Sequence, residues 1–272
     1  MNKQAAKNIK DLLFRFRDDD VIALASMLAY SLLLSFFPFL IFMMTLSGYS
    51  NLNSDYIIMQ LRPFLPDSAY SLVSASIREI LSIRNGHLLS FSIIFTVFSA
   101  SNGFRAVIKG LNKAYDEEEH RSFIKIQVLS ILCTLGLTAI TIITMLLLVF
   151  GQLISSKFAA KWSLLHYAII IPSILFTFAS LYKFAPCRKL RWSEVLPGSL
   201  FSSAGWIIAS IGFSFYVNNF ASYSRVYGSI GAVIILMIWI FLTSVIIISG
   251  GELNAVLAFD KQGKTRPRGK NY

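Results

Sequence analysis

The chain has 272 residues, is 55% hydrophobic and 14% charged, and has a mean hydropathy of +0.63. That balance excludes an ordinary water-soluble domain, whose surface needs about a quarter of its residues charged. The formal net charge of +11 would suit a nucleic-acid binder, but no basic patch is interleaved with exposed aromatic residues, and its distribution has another explanation, given below.

Apolar runs long enough to cross a hydrocarbon core of about 30 Å predict an all-α integral membrane protein with six transmembrane helices, at 21–47, 87–106, 126–154, 164–185, 195–217 and 227–259. A lone segment in lipid must satisfy its own backbone polar groups, which makes each run a helix. The first run follows "RDDD" and is longer than the apolar region of a cleaved leader, so it reads as a retained span. The whole of 1–272 is read as a single membrane domain.

Between the first two spans lies the connection 48–86. Ile57, Ile58, Leu61, Phe64 and Leu65, then Val73, Ile77, Ile80 and Leu81, fall at helical spacing on either side of Pro66-Asp67. This predicts a short amphipathic helical cap on the outer side. Further on, "KAYDEEEHR" (Lys113 to Arg121) collects carboxylates and His120. Consecutive residues diverge around a helix axis rather than converging on an ion, so this reads as a solvated helix stop, with no metal site and no cofactor. Pro38 and Pro172 sit at unmatched depths in their runs, which gives no support for an inverted repeat.

Orientation follows from the 25 Lys and Arg residues. They gather in the N-terminal segment, the 106–126 connection, the 185–195 connection and the tail. The opposite side holds only Arg62, Arg78, Arg84, Lys157, Lys161 and Arg225. By the positive-inside rule both termini are cytoplasmic, and the basic excess faces anionic inner-leaflet lipid. Cys133 in the third span and Cys187 in a cytoplasmic connection lie at different depths, so no disulfide framework is expected.

Small residues at four-residue spacing let helices approach closely in lipid. Gly198 with Ser202, Gly205 with Ala209, and Gly228 with Ala232 predict tight packing of the fifth and sixth spans. Gly250 and Gly251 lie beside a single intramembrane-side acid, Glu252. At 1.5 Å per residue, Glu252 is about 33 Å from Ile230, near the cytoplasmic boundary, and Arg105 reaches a similar depth on the second span. Two readings stand for these residues. Glu252 and Arg105 form an ion pair that locks the second and sixth spans, or Asn102, Arg105, Glu252 and Asn254 line a polar cavity open toward the cytoplasm.

The blocks "ALASMLAYSLLLSFFPFL", "NGFRAVIKGLNKAYD", "RWSEVLPGSL" and "FASYSRVYGSIGAVIILMIWIFLTSVIIISGGELNAVL" resemble, in order and spacing over roughly residues 10 to 260, the YihY/BrkB family of bacterial inner-membrane proteins, formerly labelled ribonuclease BN. The resemblance implies a six-helix inner-membrane protein, associated with virulence and serum resistance in BrkB-like members and with transport in others. The old nuclease label would need clustered His and Asp ligands around a water-activating metal. His87, His120 and His166 are scattered along the chain, and no G-x-S-x-G elbow or P-loop occurs. The expectation is therefore a non-enzymatic multi-pass protein: a transporter, or a handler of lipids or small molecules. The alternative is a membrane scaffold that binds partner proteins. Membrane lipids are the expected surroundings, nucleic acid is not a partner, and a homo-oligomer stays open.

Overall fold

In the computed structural model of the chain, the described residues are 3–49, 70, 74, 86–155, 159–220 and 229–261, with side chains described chiefly over 10–36, 101–144, 168–217 and 233–261. Every regular element among them is a helix. They are α1 (Lys3–Asp18), α2 (Val21–Tyr49), α3 (Gly86–Ala114), α4 (Phe123–Ser155), α5 (Ala159–Phe184), α6 (Trp192–Phe220) and α7 (Ser229–Lys261). The proposed cap at 48–86 falls almost wholly outside the described residues.

Among the described residues, three stretches are long and apolar enough to cross a membrane, at Phe123–Thr144, Trp192–Val217 and Val233–Lys261, or four if the bent pair Lys10–Asp18 and Val21–Phe36 counts as one span. The chemistry of α4 suits lipid rather than water. Ile124, Val128, Leu132, Leu135, Ile142 and Ile143 are all exposed along it. Its threonines turn their hydroxyls onto carbonyls four residues back: Thr134 on Ser130, Thr138 on Thr134, Thr141 on Leu137 and Thr144 on Ile140. Such internal bonds leave no polar group begging in hydrocarbon.

The helix α1 was not anticipated as a separate element. It stops where Asp19 and Asp20 donate their N–H groups to Arg15 and Arg17 carbonyls. Asp20 takes a left-handed backbone, φ 51°, which aspartate tolerates better than most residues. The axis then turns by 59° into α2. At the other acidic stop, α3 runs past the expected boundary at 106 to Ala114. Glu117 N–H bonds the Asn112 carbonyl and Asp116 N–H that of Lys113, with Asp116 at φ 56°. This is a Schellman closure with aspartate where glycine is usual.

The chain groups into two compact units, one of Met1–Ala25, Phe104–Trp206 and Val245–Tyr272, the other of Ser26–Gly103 and Ile207–Ser244. The first is centred on Val21, Leu24, Ile108, Leu111, Tyr182, Val195 and Ile248, all buried. In the second, Gly103 lies against Leu32, and the Phe213 ring packs 5.1 Å from that of Trp239.

Candidate functional site

The polar features of the first unit begin with glycine. At the crossing of α6 and α7, a Cβ on Gly250 would collide with the Ser202 and Tyr182 hydroxyls, and one on Gly198 with the Gly250 carbonyl and the Asn254 amide. The two backbones therefore touch, and side chains thread the seam with hydrogen bonds. The Tyr182 and Ser202 hydroxyls lie 2.6 Å apart, either able to donate to the other, with the Ile247 carbonyl 2.8 Å from the Tyr182 oxygen and the Ile246 carbonyl 3.1 Å from that of Ser202, so two protons serve three contacts. Asn254, fully buried, accepts from Gly198 N–H at 2.6 Å and donates to the Val195 carbonyl at 3.2 Å. With Pro197 one residue before Gly198, the start of α6 is strapped to α7 by a side chain. Gly251 likewise gives its space to Leu111. Gly205 meets Ile246 only at ordinary van der Waals range, at 3.6 Å, and Gly228 lies outside the described residues.

Glu252 is completely buried, and the cation against it is Arg15 of α1, whose Nε lies 3.3 Å from Glu252 Oε2. Arg15 is itself only 5% exposed. It also faces Asp19 at 3.6 Å and Asp116 at 3.5 Å, donates to the Ala114 carbonyl, and stacks 5.0 Å from the centre of the Phe259 ring. One guanidinium thus ties together α1, the end of α3 and α7, which suits its rigid fork of five donors. Arg188 covers the same Phe259 ring at 5.7 Å and that of Tyr115 at 5.9 Å, and reaches Glu117 at 3.9 Å. Burial pushes the Tyr115 phenol well above its usual range, with Arg188 acting in the opposite direction.

Arg105 sits with its guanidinium 5.2 Å over the Phe123 ring. Asn102, half-buried on the same helix, belongs to the second unit. Of the four residues singled out from the sequence, the structure thus puts Glu252 and Asn254 into a buried network on α7 and Arg105 on the wall of a cleft. The cation that the structure sets against Glu252 is Arg15, which the sequence reading counted only toward orientation. Tyr182 and Ser202 were also missed. The signal available for Arg15 was its position three residues after Leu12 and one before Phe16, on the inward-facing side of α1 rather than with its exposed charges.

The cleft, of about 530 Å³, opens where α3 ends and α4 begins, within residues 105–126. It is lined by the cations Arg105, Lys109 and Lys113 at four-residue spacing on α3, the carboxylates Asp116, Glu117, Glu118 and Glu119, and the apolar Ile108, Phe123 and Ile126. The acidic stretch is held in place by a lock. Glu119 takes Nε and Nη2 of Arg121, both at 2.8 Å, and the Cys187 thiol at 3.0 Å; Asn112 accepts the Cys187 N–H at 2.7 Å. The Arg121 bonds, chief among these, hold the Glu119 carboxyl down to about 2. Burial and the neighbouring carboxylate push the Cys187 thiol up. Both cysteines are free thiols. Among the described residues no three His, Cys, Asp or Glu side chains are grouped to hold a metal ion.

Residues 12–272 match the family described as Virulence factor BrkB. The chain is similar to YfkH of Bacillus subtilis (strain 168), named as ribonuclease-like, at 43% identity over 259 residues, covering 92% of this chain and 94% of that one. It is similar at 27% over 263 residues to a UPF0761 membrane protein of Vibrio atlanticus (strain LGP32), and at 26% over 265 residues to one of Vibrio vulnificus (strain YJ016), with 92% of this chain and 82% of the relative covered in each case. No solved structure matches. A match across nearly the whole length, together with these exposed apolar helices, makes the protein a member of the Virulence factor BrkB family of membrane proteins.

Proposed function

We propose that the protein is a six-span bacterial cell-membrane protein with both termini in the cytoplasm, and that it handles lipid at its cytoplasmic end. The observation that carries this reading is the cleft at 105–126, lined by basic, acidic and apolar side chains together. A purely structural connection between two helices has no need of an open space of that size lined by both signs of charge. Ligand sites commonly have volumes of about 300–1,000 Å³ with a few placed polar groups on an apolar lining. The positive-inside distribution sets this end in the cytoplasm.

The name of YfkH invites a nuclease reading. Metal-assisted RNA cleavage requires converging ligands, and His120 instead stands exposed in the connection between α3 and α4, so the reading offered is non-enzymatic.

The test is reconstitution of the full chain into liposomes carrying a trace of phospholipid with a reducible fluorophore on its headgroup. In protein-free vesicles a membrane-impermeant reductant bleaches only the outer leaflet. With the protein present, inner-leaflet label should also bleach. Inner label that stays protected at several protein-to-lipid ratios overturns the reading.

A further inference from the structure

Three aromatic rings form an exposed row where α5 gives way to α6. The Trp192 ring stacks on that of Phe176 with centroids 6.0 Å apart and planes 15° from parallel, and meets that of Phe184 edge-on at 6.1 Å. The two phenylalanines are eight residues apart on α5, a rise of about 12 Å, so an indole in contact with both lies between them. The Lys183 ammonium sits 5.1 Å from the centre of the Trp192 ring and donates to the Leu190 carbonyl at 2.7 Å, which ties the row to the connection between the helices. Phe176, Phe184 and Trp192 nevertheless stay 51%, 52% and 43% exposed. The row is ordered on one side and open on the other.

What covers the open side follows from the chain that flanks it. Trp192 is the first residue of the apolar stretch Trp192–Val217, which is long enough to cross a membrane, and Leu196 and Leu200, at four-residue steps beyond it, are exposed as well. In the other direction come the cations Arg188, Lys189 and Arg191, of which Lys189 and Arg191 are exposed. Trp192 stands where apolar surface changes into cationic surface. Hydrocarbon alone gives an indole N–H and an ammonium nothing to bond, and water alone leaves three rings uncovered. The headgroup layer serves both needs, which is why tryptophan and lysine collect at that depth. We infer that Phe176, Lys183, Phe184 and Trp192 form an interfacial anchor that fixes the depth of the turn between α5 and α6. The indole lies at the boundary between headgroups and acyl chains of the cytoplasmic leaflet, with Phe176 on the acyl side and Phe184 on the headgroup side. The anchor rests on the spanning reading of α6, and on cytoplasmic termini for its choice of leaflet, but not on the handling of lipid. Cys187, whose N–H and thiol bond Asn112 and Glu119, belongs to the same connection, so the anchor also holds the lock around Glu119 at the membrane surface.

The experiment reads the depth of one indole. The full chain and its Trp192→Phe variant, which keeps an aromatic ring in the row, are reconstituted into phosphatidylcholine vesicles whose acyl chains carry bromine either near the glycerol or near the methyl end. The difference in tryptophan emission between the two proteins isolates Trp192. That difference should lose most of its intensity with bromine near the glycerol, much less with bromine near the methyl end, and little to iodide present on both sides of the membrane. The greatest loss with methyl-end bromine places the indole in the hydrocarbon and overturns the anchor. Strong loss to iodide with none to either bromolipid places it in water, and protection from all three quenchers means that protein, a second copy included, covers the row; each of these also overturns the assignment. Leaflet exchange is read on the unaltered chain and does not depend on the depth of Trp192, so the lipid-handling reading and this one fail separately.

Discussion

Arg15 on α1 and Glu252 on α7 meet at 3.3 Å, with almost none of either side chain exposed. The pairing is asymmetric. Glu252→Gln still leaves Arg15 with Asp19 and Asp116, whereas Arg15→Gln leaves two buried carboxylates, Glu252 and Asp19, facing one another's surroundings without that cation. Stranding a buried charge costs about 3–5 kcal/mol, so Arg15→Gln should reach that range and Glu252→Gln should cost less. The double change should recover part of the loss, with a coupling of about 0.5–3 kcal/mol in unfolding measured in lipid nanodiscs. The same cycle with Arg105→Gln should give a smaller coupling. Zero coupling to Arg15 would show that the contact does not stabilise the protein.

Glycine positions should separate sharply. Gly198→Ala and Gly250→Ala place a methyl group against backbone and a hydrogen-bonded hydroxyl pair, and overpacking of this kind costs about 1–3 kcal/mol. Gly136 and Gly212 have nothing within 4 Å of an added Cβ, so alanine there should be neutral or stabilise by up to about 1 kcal/mol through helix propensity. Thermal unfolding of the four variants in one nanodisc preparation decides it. Equal losses at all four would contradict the α6–α7 contact.

The lock around Glu119 should respond to acid in one direction. Its carboxyl is lowered from an ordinary 4.5 to about 2 by the Arg121 bonds, so protonation favours the unlocked state. The contribution is complete above about 4.5 and is lost as pH falls toward 2. Hydrogen exchange of residues 115–122 should rise across that window, and Glu119→Gln should flatten the response. The same variant should speed alkylation of Cys187 at mildly alkaline pH, since it removes a carboxylate that disfavours the thiolate. An unchanged alkylation rate would mean that burial alone controls the thiol.

The topology has its own check. In a chain cleared of Cys133 and Cys187, single cysteines at positions 54 and 264 should react with an impermeant thiol reagent from opposite faces of the membrane. Reaction of both from outside intact cells would contradict six spans with cytoplasmic termini.

Helix positions were legible because apolar length is a strong, local signal: the expected run 195–217 lies inside α6, and 126–154 inside α4. The close approach of α6 and α7 was legible at Gly198 and Gly250, since only a residue without a side chain permits two backbones to touch. The partner of Glu252 was not. Depth along a helix can be counted from sequence, and Arg105 has a suitable depth, but the rotation of a helix and the path of the chain before its first span cannot be counted. The 59° turn at Asp19-Asp20 brings Arg15 back over the bundle, and that turn depends on two aspartates whose left-handed tolerance is shared by many loops that do nothing of the kind. The cleft was illegible for a related reason. Its acidic stretch reads as solvated, and only the Schellman stop of α3 turns the chain so that these carboxylates line the same cleft as Lys109 and Arg105.

The contact between Arg15 and Glu252 also imposes an order on biogenesis. Arg15 leaves the ribosome long before Glu252, so α1 and the helices after it are inserted before the contact with α7 can form. Domains assemble broadly from the N-terminus during translation, but this closure can be made only when α7 has entered the membrane. A nascent chain cut short before α7 keeps Asp19 and Asp116 as partners for Arg15 but lacks the contact that joins α1 to α7.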